Sequence, residues 1–155
     1  MNKNDIRKVL FVCTGNSCRS IMAEAYFEKR VVEEKLTIKI KSAGTFGIDG
    51  LSPTKETIKV LTDEGIDTDS LESNALTVEH ILWADIILVM EPFHKDRILS
   101  MVPEAESKVW YLSRYDKNAE NETIADPIGQ TSEYYKRCFS SIKQPIEELI
   151  KWLKG

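Results

Sequence analysis

Residues 8–20 read KVLFVCTGNSCRS, an apolar run followed by a loop of small and polar residues. The run from Lys8 to Val12 is rich in β-branched and aromatic side chains, which is typical of a buried strand. It ends abruptly at Cys13, and residues 20–34 have the pattern of a helix. The stretch therefore predicts a strand, a loop and a helix in succession, with Cys13 where the strand ends.

Strand and helix patterns continue to alternate along the chain. We predict strands over residues 37–41, 85–90 and 108–112, and helices over residues 54–63, 77–84 and 92–101 and through the striped segment from Tyr135 onward. Residues 42–53 and 113–131 are rich in glycine or polar side chains and are predicted to be loops. The strand over 85–90 has the continuous apolar character of a parallel strand that is covered on both faces.

This alternation predicts the fold class. Strands separated by helices imply right-handed crossovers and an α/β fold, here a single-domain three-layer sandwich with a four-stranded parallel sheet and helices on both faces. The length of 155 residues suits one domain spanning residues 1–155. Ligands of such folds bind beyond the carboxyl ends of the strands, and the Cys13 loop lies at such an end.

The bulk composition excludes several classes of protein. A net charge of -4 argues against sequence-independent binding of nucleic acid, and no stretch approaches the length of a membrane span. The apolar run after the polar first residues is too short for a signal peptide. Three cysteines form an odd set, which indicates reduced thiols rather than a disulfide framework. We therefore expect a cytoplasmic protein with neither nucleic acid nor membrane as a partner.

The loop after Cys13 has the features of an anion site. Its backbone N–H groups can converge in front of a helix N-terminus, and Gly15 and Asn16 are the residues best able to take a positive φ there. Arg19 adds a planar fork that suits two phosphate oxygens. A thiol facing these donors would be stabilised as the nucleophilic thiolate, so Cys13 is the candidate nucleophile. The spacing alone also fits a structural cysteine followed by a surface arginine.

Longer stretches resemble the low-molecular-weight protein tyrosine phosphatase family, which includes protein arginine phosphatases and thioredoxin-coupled arsenate reductases. The resemblance covers nearly the whole chain. It rests on Val12-Cys13-Thr14-Gly15-Asn16-Ser17-Cys18-Arg19-Ser20 with Met22-Ala23-Glu24, on Ser42-Ala43-Gly44-Thr45, on Ala84-Asp85-Ile86-Ile87-Leu88-Val89-Met90 and on Asp126-Pro127.

The resemblance implies a role for each site residue. Cys13 would attack phosphorus, Arg19 would bind the phosphoryl oxygens and Asp126 would be the general acid. The phosphate site would be formed by the remaining loop residues, which are Thr14, Gly15, Asn16, Ser17, Cys18 and Ser20. Ser20 would also donate a hydrogen bond to the thiolate. Asn16 and Ser42 would support the shape of the loop. The substrate would be a phosphorylated protein, the product inorganic phosphate, and no metal or other cofactor would be required.

The sequence leaves the choice of substrate open. Tyrosine-specific members usually carry aromatic residues after the Asp-Pro pair, whereas Ile128 follows here, and Phe46 would be one remaining wall. At Ser17, tyrosine-specific members tend to have a bulky aliphatic residue and arginine-specific members a threonine. The resemblance therefore implies a phosphotyrosine-type protein phosphatase, with arginine phosphatase as the alternative.

Other interpretations are weaker. Arsenate reductases need two further cysteines, and residues 91–101, where these would fall, contain none, while Cys138 lies on the core-facing stripe of the last helix. A zinc site from Cys13, Cys18 and the two histidines has no common spacing. A non-catalytic binding module would normally lose Cys13 or Asp126. Cys18 itself either forms a reversible disulfide with Cys13 or packs the loop as a small buried side chain.

Overall fold

The structure is a computed structural model that describes residues 2–155. Its strands are β1 (Lys8–Cys13), β2 (Lys39–Gly44), β3 (Ile86–Val89) and β4 (Val109–Tyr111). Its helices are α1 (Arg19–Glu33), α2 (Lys55–Asp63), α3 (Val78–Trp83), α4 (Pro92–Met101) and α5 (Ser132–Lys154), and short 3-10 turns lie at Lys3–Asp5, Pro103–Lys108 and Leu112–Tyr115. The predicted order of strands and helices is confirmed, with bounds that differ by a few residues.

The four strands form one parallel sheet in the order β2-β1-β3-β4, which confirms the predicted sheet. β1 lies inside the sheet because it pairs with β2 on one side and with β3 on the other. The carboxyl ends of parallel strands meet at one edge. Cys13, at the end of β1, therefore emerges at the middle of that edge, close to the loop that follows β3.

Side chains of β1 alternate between two hydrophobic clusters, one on each face of the sheet. Phe11 packs on one face with residues of α1, α2 and α5, such as Phe27 and Phe139. Val12 packs on the other face with residues of α3 and α4, such as Ile81. Helices cover both faces, so the predicted three-layer arrangement is confirmed.

The prediction for β2 was wrong at both ends, and its C-terminal end matters for the site. Residues 42–44 were predicted to belong to a loop, yet Ser42, Ala43 and Gly44 are buried and continue the pairing with β1 as far as Cys13. Small residues ending in glycine resemble a loop in sequence, because the packing that requires them comes from another part of the chain.

The last helix, α5, buries the predicted apolar stripe. Cys138 lies on that stripe and is buried, as predicted, with its sulfur 3.7 Å from the carbonyl oxygen of Ala125. Burial raises the pKa of the Cys138 thiol to about 12. Within residues 2–155, no helix is long and apolar enough to cross a membrane.

Candidate active site

The loop between β1 and α1 leaves its backbone donors free. None of the N–H groups of residues 14–18 donates a hydrogen bond to an acceptor within residues 2–155. The helix α1 begins at Arg19 without a side-chain cap on its first turn. Free amides in front of an uncapped helix N-terminus attract an anion, since buried backbone donors are otherwise almost always paired.

The conformation of the loop depends on one residue with a positive φ. Asn16 has a φ of 54°, in the left-handed region that asparagine tolerates better than most residues. Gly15, for which the sequence suggested the same, does not have a positive φ. A Cβ atom built on Gly15 would meet nothing closer than Ser17 Oγ at 3.4 Å, so neither the backbone nor the packing requires glycine there.

Gly44 is the glycine that the loop does require. A Cβ atom on Gly44 would lie 2.5 Å from the carbonyl oxygen of Thr14 and 2.8 Å from the backbone nitrogen of Asn16. The two residues after Gly44 also bind the backbone of the loop, because Thr45 N donates to Cys13 O at 2.9 Å and Phe46 N donates to Thr14 O at 2.9 Å. The sequence alone indicated no role for Gly44, although a glycine ending a strand often marks a close backbone approach.

Asn16 also organises the side chains behind the loop. The backbone N–H of Asn74 donates to Asn16 Oδ1 at 2.7 Å, which fixes the orientation of the amide. The amide nitrogen of Asn16 then donates to Ser20 Oγ at 2.6 Å and to Ser42 Oγ at 2.9 Å. The predicted support by Asn16 and Ser42 thus corresponds to a direct hydrogen bond between them.

These bonds set the direction of two hydroxyl groups. Ser20 and Ser42 each accept from Asn16, so each has its own hydrogen left to donate onward. Ser20 Oγ lies 2.9 Å from Cys13 Sγ, and Ser42 Oγ donates to the carboxyl group of Glu24. Burial raises the pKa of Glu24. The chain of bonds delivers a donor to the Cys13 sulfur, and Glu24 ends it at a position for which the sequence suggested no role.

Arg19 is 1% exposed and is held from two sides. Its Nη1 atom donates to Glu91 Oε2 at 2.5 Å and to the carbonyl oxygen of Ile124 at 2.8 Å. Its Nη2 atom donates to Thr14 Oγ1 at 3.2 Å and lies 3.5 Å from Asp126 Oδ2. The guanidinium is therefore oriented before any ligand binds, and it connects the loop after Cys13 with the loop that carries Asp126.

The predicted catalytic residues surround one cavity of about 210 Å³. Its lining consists of Cys13, Thr14, Gly15, Ser17, Cys18, Arg19, Asp126 and Ile128. The side chains of Asn16 and Ser20, which were predicted to bind substrate, are fully buried in the hydrogen-bond network behind the cavity. They can act on a ligand through the shape of the loop and through Cys13.

Phe46 lies outside the lining and packs against a second aromatic residue. Its ring stacks on that of Phe93, with centroids 5.7 Å apart and planes 17° from parallel. Both rings are exposed. Both are also close in the chain to a hydrogen bond with Thr14, because Phe46 N donates to Thr14 O, and His94, the residue after Phe93, contacts Thr14 Oγ1 through Nε2. Phe93 was not predicted; the signal for it was an aromatic residue just after the carboxyl end of β3.

Cys18 is packed among polar groups beneath the loop. Its sulfur lies 3.4 Å from the hydroxyl oxygen of Tyr135 and 3.6 Å from Thr54 Oγ1. These contacts favour the packing interpretation of Cys18. Cys13, Cys18 and Cys138 are all free thiols. Within residues 2–155, no three His, Cys, Asp or Glu side chains converge as metal ligands.

Comparisons with known proteins match this arrangement. The sequence model described as "Low molecular weight phosphotyrosine protein phosphatase" matches residues 8–155. A protein-arginine-phosphatase from Geobacillus stearothermophilus is 35% identical, over 95% of this chain and 96% of the relative. The low molecular weight protein-tyrosine-phosphatase PtpB of Staphylococcus haemolyticus is 31% identical, over 92% and 96%. The crystal structure of a low molecular weight protein tyrosine phosphatase from T. tengcongensis superposes with a TM-score of 0.87, at 34% identity over 94% and 98% of the two chains.

Proposed function

The chain belongs to the low molecular weight phosphotyrosine protein phosphatase family, and we propose that it hydrolyses phosphorylated protein side chains through a phosphocysteine on Cys13. One observation carries the assignment of residues. Cys13, Arg19 and Asp126 line a single cavity together with four of the five loop residues whose amides are free. A nucleophile, an anion site and a proton donor are the three groups that such a reaction needs.

The first step transfers the phosphoryl group to the enzyme. The loop amides and the Arg19 guanidinium bind the non-bridging oxygens and stabilise the charge of the transition state. The Cys13 thiolate attacks phosphorus, so that an S–P bond forms while the bond from phosphorus to the substrate's oxygen or nitrogen breaks. Protonated Asp126 gives its proton to that leaving atom, which departs neutral.

The second step regenerates the enzyme. Asp126, now a carboxylate, takes a proton from a water molecule as the water oxygen attacks phosphorus. The S–P bond breaks, its electron pair returns to Cys13, and inorganic phosphate leaves. Ser20 assists both steps in the same way, because its hydroxyl group donates to the sulfur when the sulfur is an anion.

The substrate proposed first is phosphotyrosine, and phosphoarginine is the second candidate. The stacked rings of Phe46 and Phe93 offer an apolar wall for a planar group, and both phenyl and guanidinium groups are planar. Ile128 in the cavity lining, where tyrosine-specific relatives usually have aromatic residues, supports the second candidate. The name of the relative from Geobacillus stearothermophilus supports it as well.

Arsenate reduction has less support. That reaction needs cysteines that relay a disulfide outward, and Cys138 is buried with its thiol pKa raised to about 12. Such a thiol supplies little thiolate near pH 7. The odd set of three cysteines also supports our proposal of a reducing, cytoplasmic location.

Parallel assays test the proposed function and rank the substrates. One peptide sequence would be prepared with phosphotyrosine, phosphoarginine or phosphoserine, and kcat/KM would be measured for each, with arsenate plus thioredoxin as a separate assay. We expect turnover of phosphotyrosine or phosphoarginine, loss of turnover in Cys13→Ser and near-normal turnover in Cys138→Ser. Arsenate reduction that is lost in Cys138→Ser, without peptide turnover, would contradict the proposal.

A further inference from the structure

His94, in α4, is fully buried beside the cavity and takes no part in the steps above. Its Nε2 atom lies 2.9 Å from Thr14 Oγ1, and Thr14 lines the cavity. The same Thr14 oxygen accepts a hydrogen bond from Arg19 Nη2 at 3.2 Å. The Thr14 hydroxyl group therefore lies between a buried imidazole and the guanidinium that binds the phosphoryl group.

The surroundings of His94 restrict its protonation. Burial, together with the charge of Arg19, lowers the pKa of His94 to about 3, so the ring is neutral near pH 7. A neutral imidazole has one N–H donor and one acceptor nitrogen. The carboxylate oxygen Glu91 Oε2 is 4.0 Å from Nε2, beyond hydrogen-bond distance, and Nδ1 has no partner within residues 2–155. Thr14 is therefore the hydrogen-bond partner of the ring.

The two tautomers of His94 have different consequences for Thr14. With the proton on Nδ1, a buried N–H would lack an acceptor, and Thr14 would spend its hydrogen on Nε2. With the proton on Nε2, both His94 and Arg19 donate to the Thr14 oxygen, and the hydrogen of Thr14 stays available. Unpaired buried N–H groups are rarer than unpaired acceptors, which favours the second tautomer.

We propose that His94 is a positioning residue whose Nε2–H group donates to Thr14, so that the Thr14 hydroxyl group serves as an additional donor to the phosphoryl oxygens. This inference rests on the proposed phosphatase function, since it adds a side-chain donor to that same anion site.

Nuclear magnetic resonance tests the tautomer without any substitution. The chain has two histidines, so two-bond ¹H–¹⁵N correlations of the full-length ¹⁵N-labelled protein are simple to assign. His80 is an internal reference, because Thr77 N donates to its Nδ1 atom at 3.1 Å and leaves the proton on Nε2. We expect the Nε2–H tautomer for His94 with and without inorganic phosphate. A proton on Nδ1 of His94 would overturn the inference.

Binding of inorganic phosphate tests the role of Thr14. Thr14→Val keeps the shape and removes the hydroxyl group, and should weaken phosphate binding about tenfold, whereas Thr14→Ser should restore it. His94→Leu should weaken phosphate binding to a similar extent. The double variant should lose no more affinity than either single variant, because both substitutions act through the hydroxyl hydrogen of Thr14. Unchanged binding in Thr14→Val, or losses that multiply in the double variant, would contradict the inference. Calorimetric titration measures this binding without turnover, so failure here is separable from failure of the proposed phosphatase reaction.

Discussion

Ser20 Oγ lies 2.9 Å from Cys13 Sγ and accepts a hydrogen bond from Asn16 Nδ2, so its own hydrogen is free to be donated to the sulfur. When the sulfur is an anion it can only accept, so Ser20 is then the donor. Hydrogen bonds to charged atoms are stronger than those between neutral groups, so this one stabilises the charge that the sulfur carries as attacking group and as leaving group.

Ser20→Ala should lower kcat about 10- to 100-fold, since the sulfur loses a donor both as attacking group and as leaving group. Steady-state kinetics would measure the loss, and slower alkylation of Cys13 by iodoacetamide at fixed pH would accompany it. Ser20→Thr retains a hydroxyl group and serves as the control. Equal kcat values for Ser20→Ala and the wild type would rule out this role for Ser20.

Gly44→Ala should be severe, while Gly15→Ala should be mild. The added methyl group on residue 44 would lie 2.5 Å from Thr14 O, whereas on residue 15 it would meet its nearest neighbour at 3.4 Å. We expect Gly44→Ala to lower kcat/KM more than about 100-fold by displacing the loop amides, and Gly15→Ala to stay within about fivefold. Kinetics and thermal unfolding of both variants check this. A reversed order of severity would show that the loop has another conformation.

Asp126→Asn keeps the size of the side chain but cannot donate a proton to the leaving group. The loss of kcat should be about 100-fold or more for phenyl phosphate and much smaller for a dinitrophenyl ester, whose anion leaves readily. A plot of log kcat against the pKa of the leaving group should be shallow for wild type and steep for the variant. Parallel lines would assign leaving-group protonation to another residue.

His94 should make folding stability depend on pH. Its pKa is about 3 in the folded protein and about 6.5 in an unfolded chain, so below pH 6.5 the unfolded state takes up a proton that the folded state does not. The free energy of unfolding should therefore fall as the pH drops. The His94 imidazole should account for about 2 kcal/mol of this loss between about pH 7 and about pH 5. Urea unfolding of wild type and His94→Gln would measure it. The variant should lose less stability on acidification; the same loss in both would contradict the buried neutral state of His94.

Much of the fold could be predicted because its signals are local. The strand before Cys13, the alternation of helices and strands and the stripe on α5 each lie within one segment, where hydrophobic spacing reports the secondary structure. Cys13 and Arg19 flank one short loop, so their proximity could be predicted without knowledge of distant contacts. Asp126 was found through the resemblance to a family, because an Asp-Pro pair by itself is a common turn.

The missed features depend on contacts between distant segments. Gly44 matters because the loop after Cys13 crosses it, and Glu24 because Ser42 from β2 points toward α1. Glu91 and His94 follow β3 and reach Arg19 and Thr14 only when the sheet has formed. No periodicity within one segment reports such contacts. The positive φ was assigned to two loop residues because sequence shows which residues tolerate it and not which one adopts it.

The most direct test of Cys13 as the nucleophile is to trap the phosphocysteine intermediate. Protein mixed with excess substrate and quenched in acid within the first turnover would be digested and its peptides analysed by mass spectrometry. The proposed mechanism predicts phosphate on the sulfur of Cys13, at higher occupancy in Asp126→Asn with an activated ester, because the second step then lacks its base while the first remains fast. Turnover without phosphate on Cys13, or phosphate on a different residue in the wild-type protein, would contradict it.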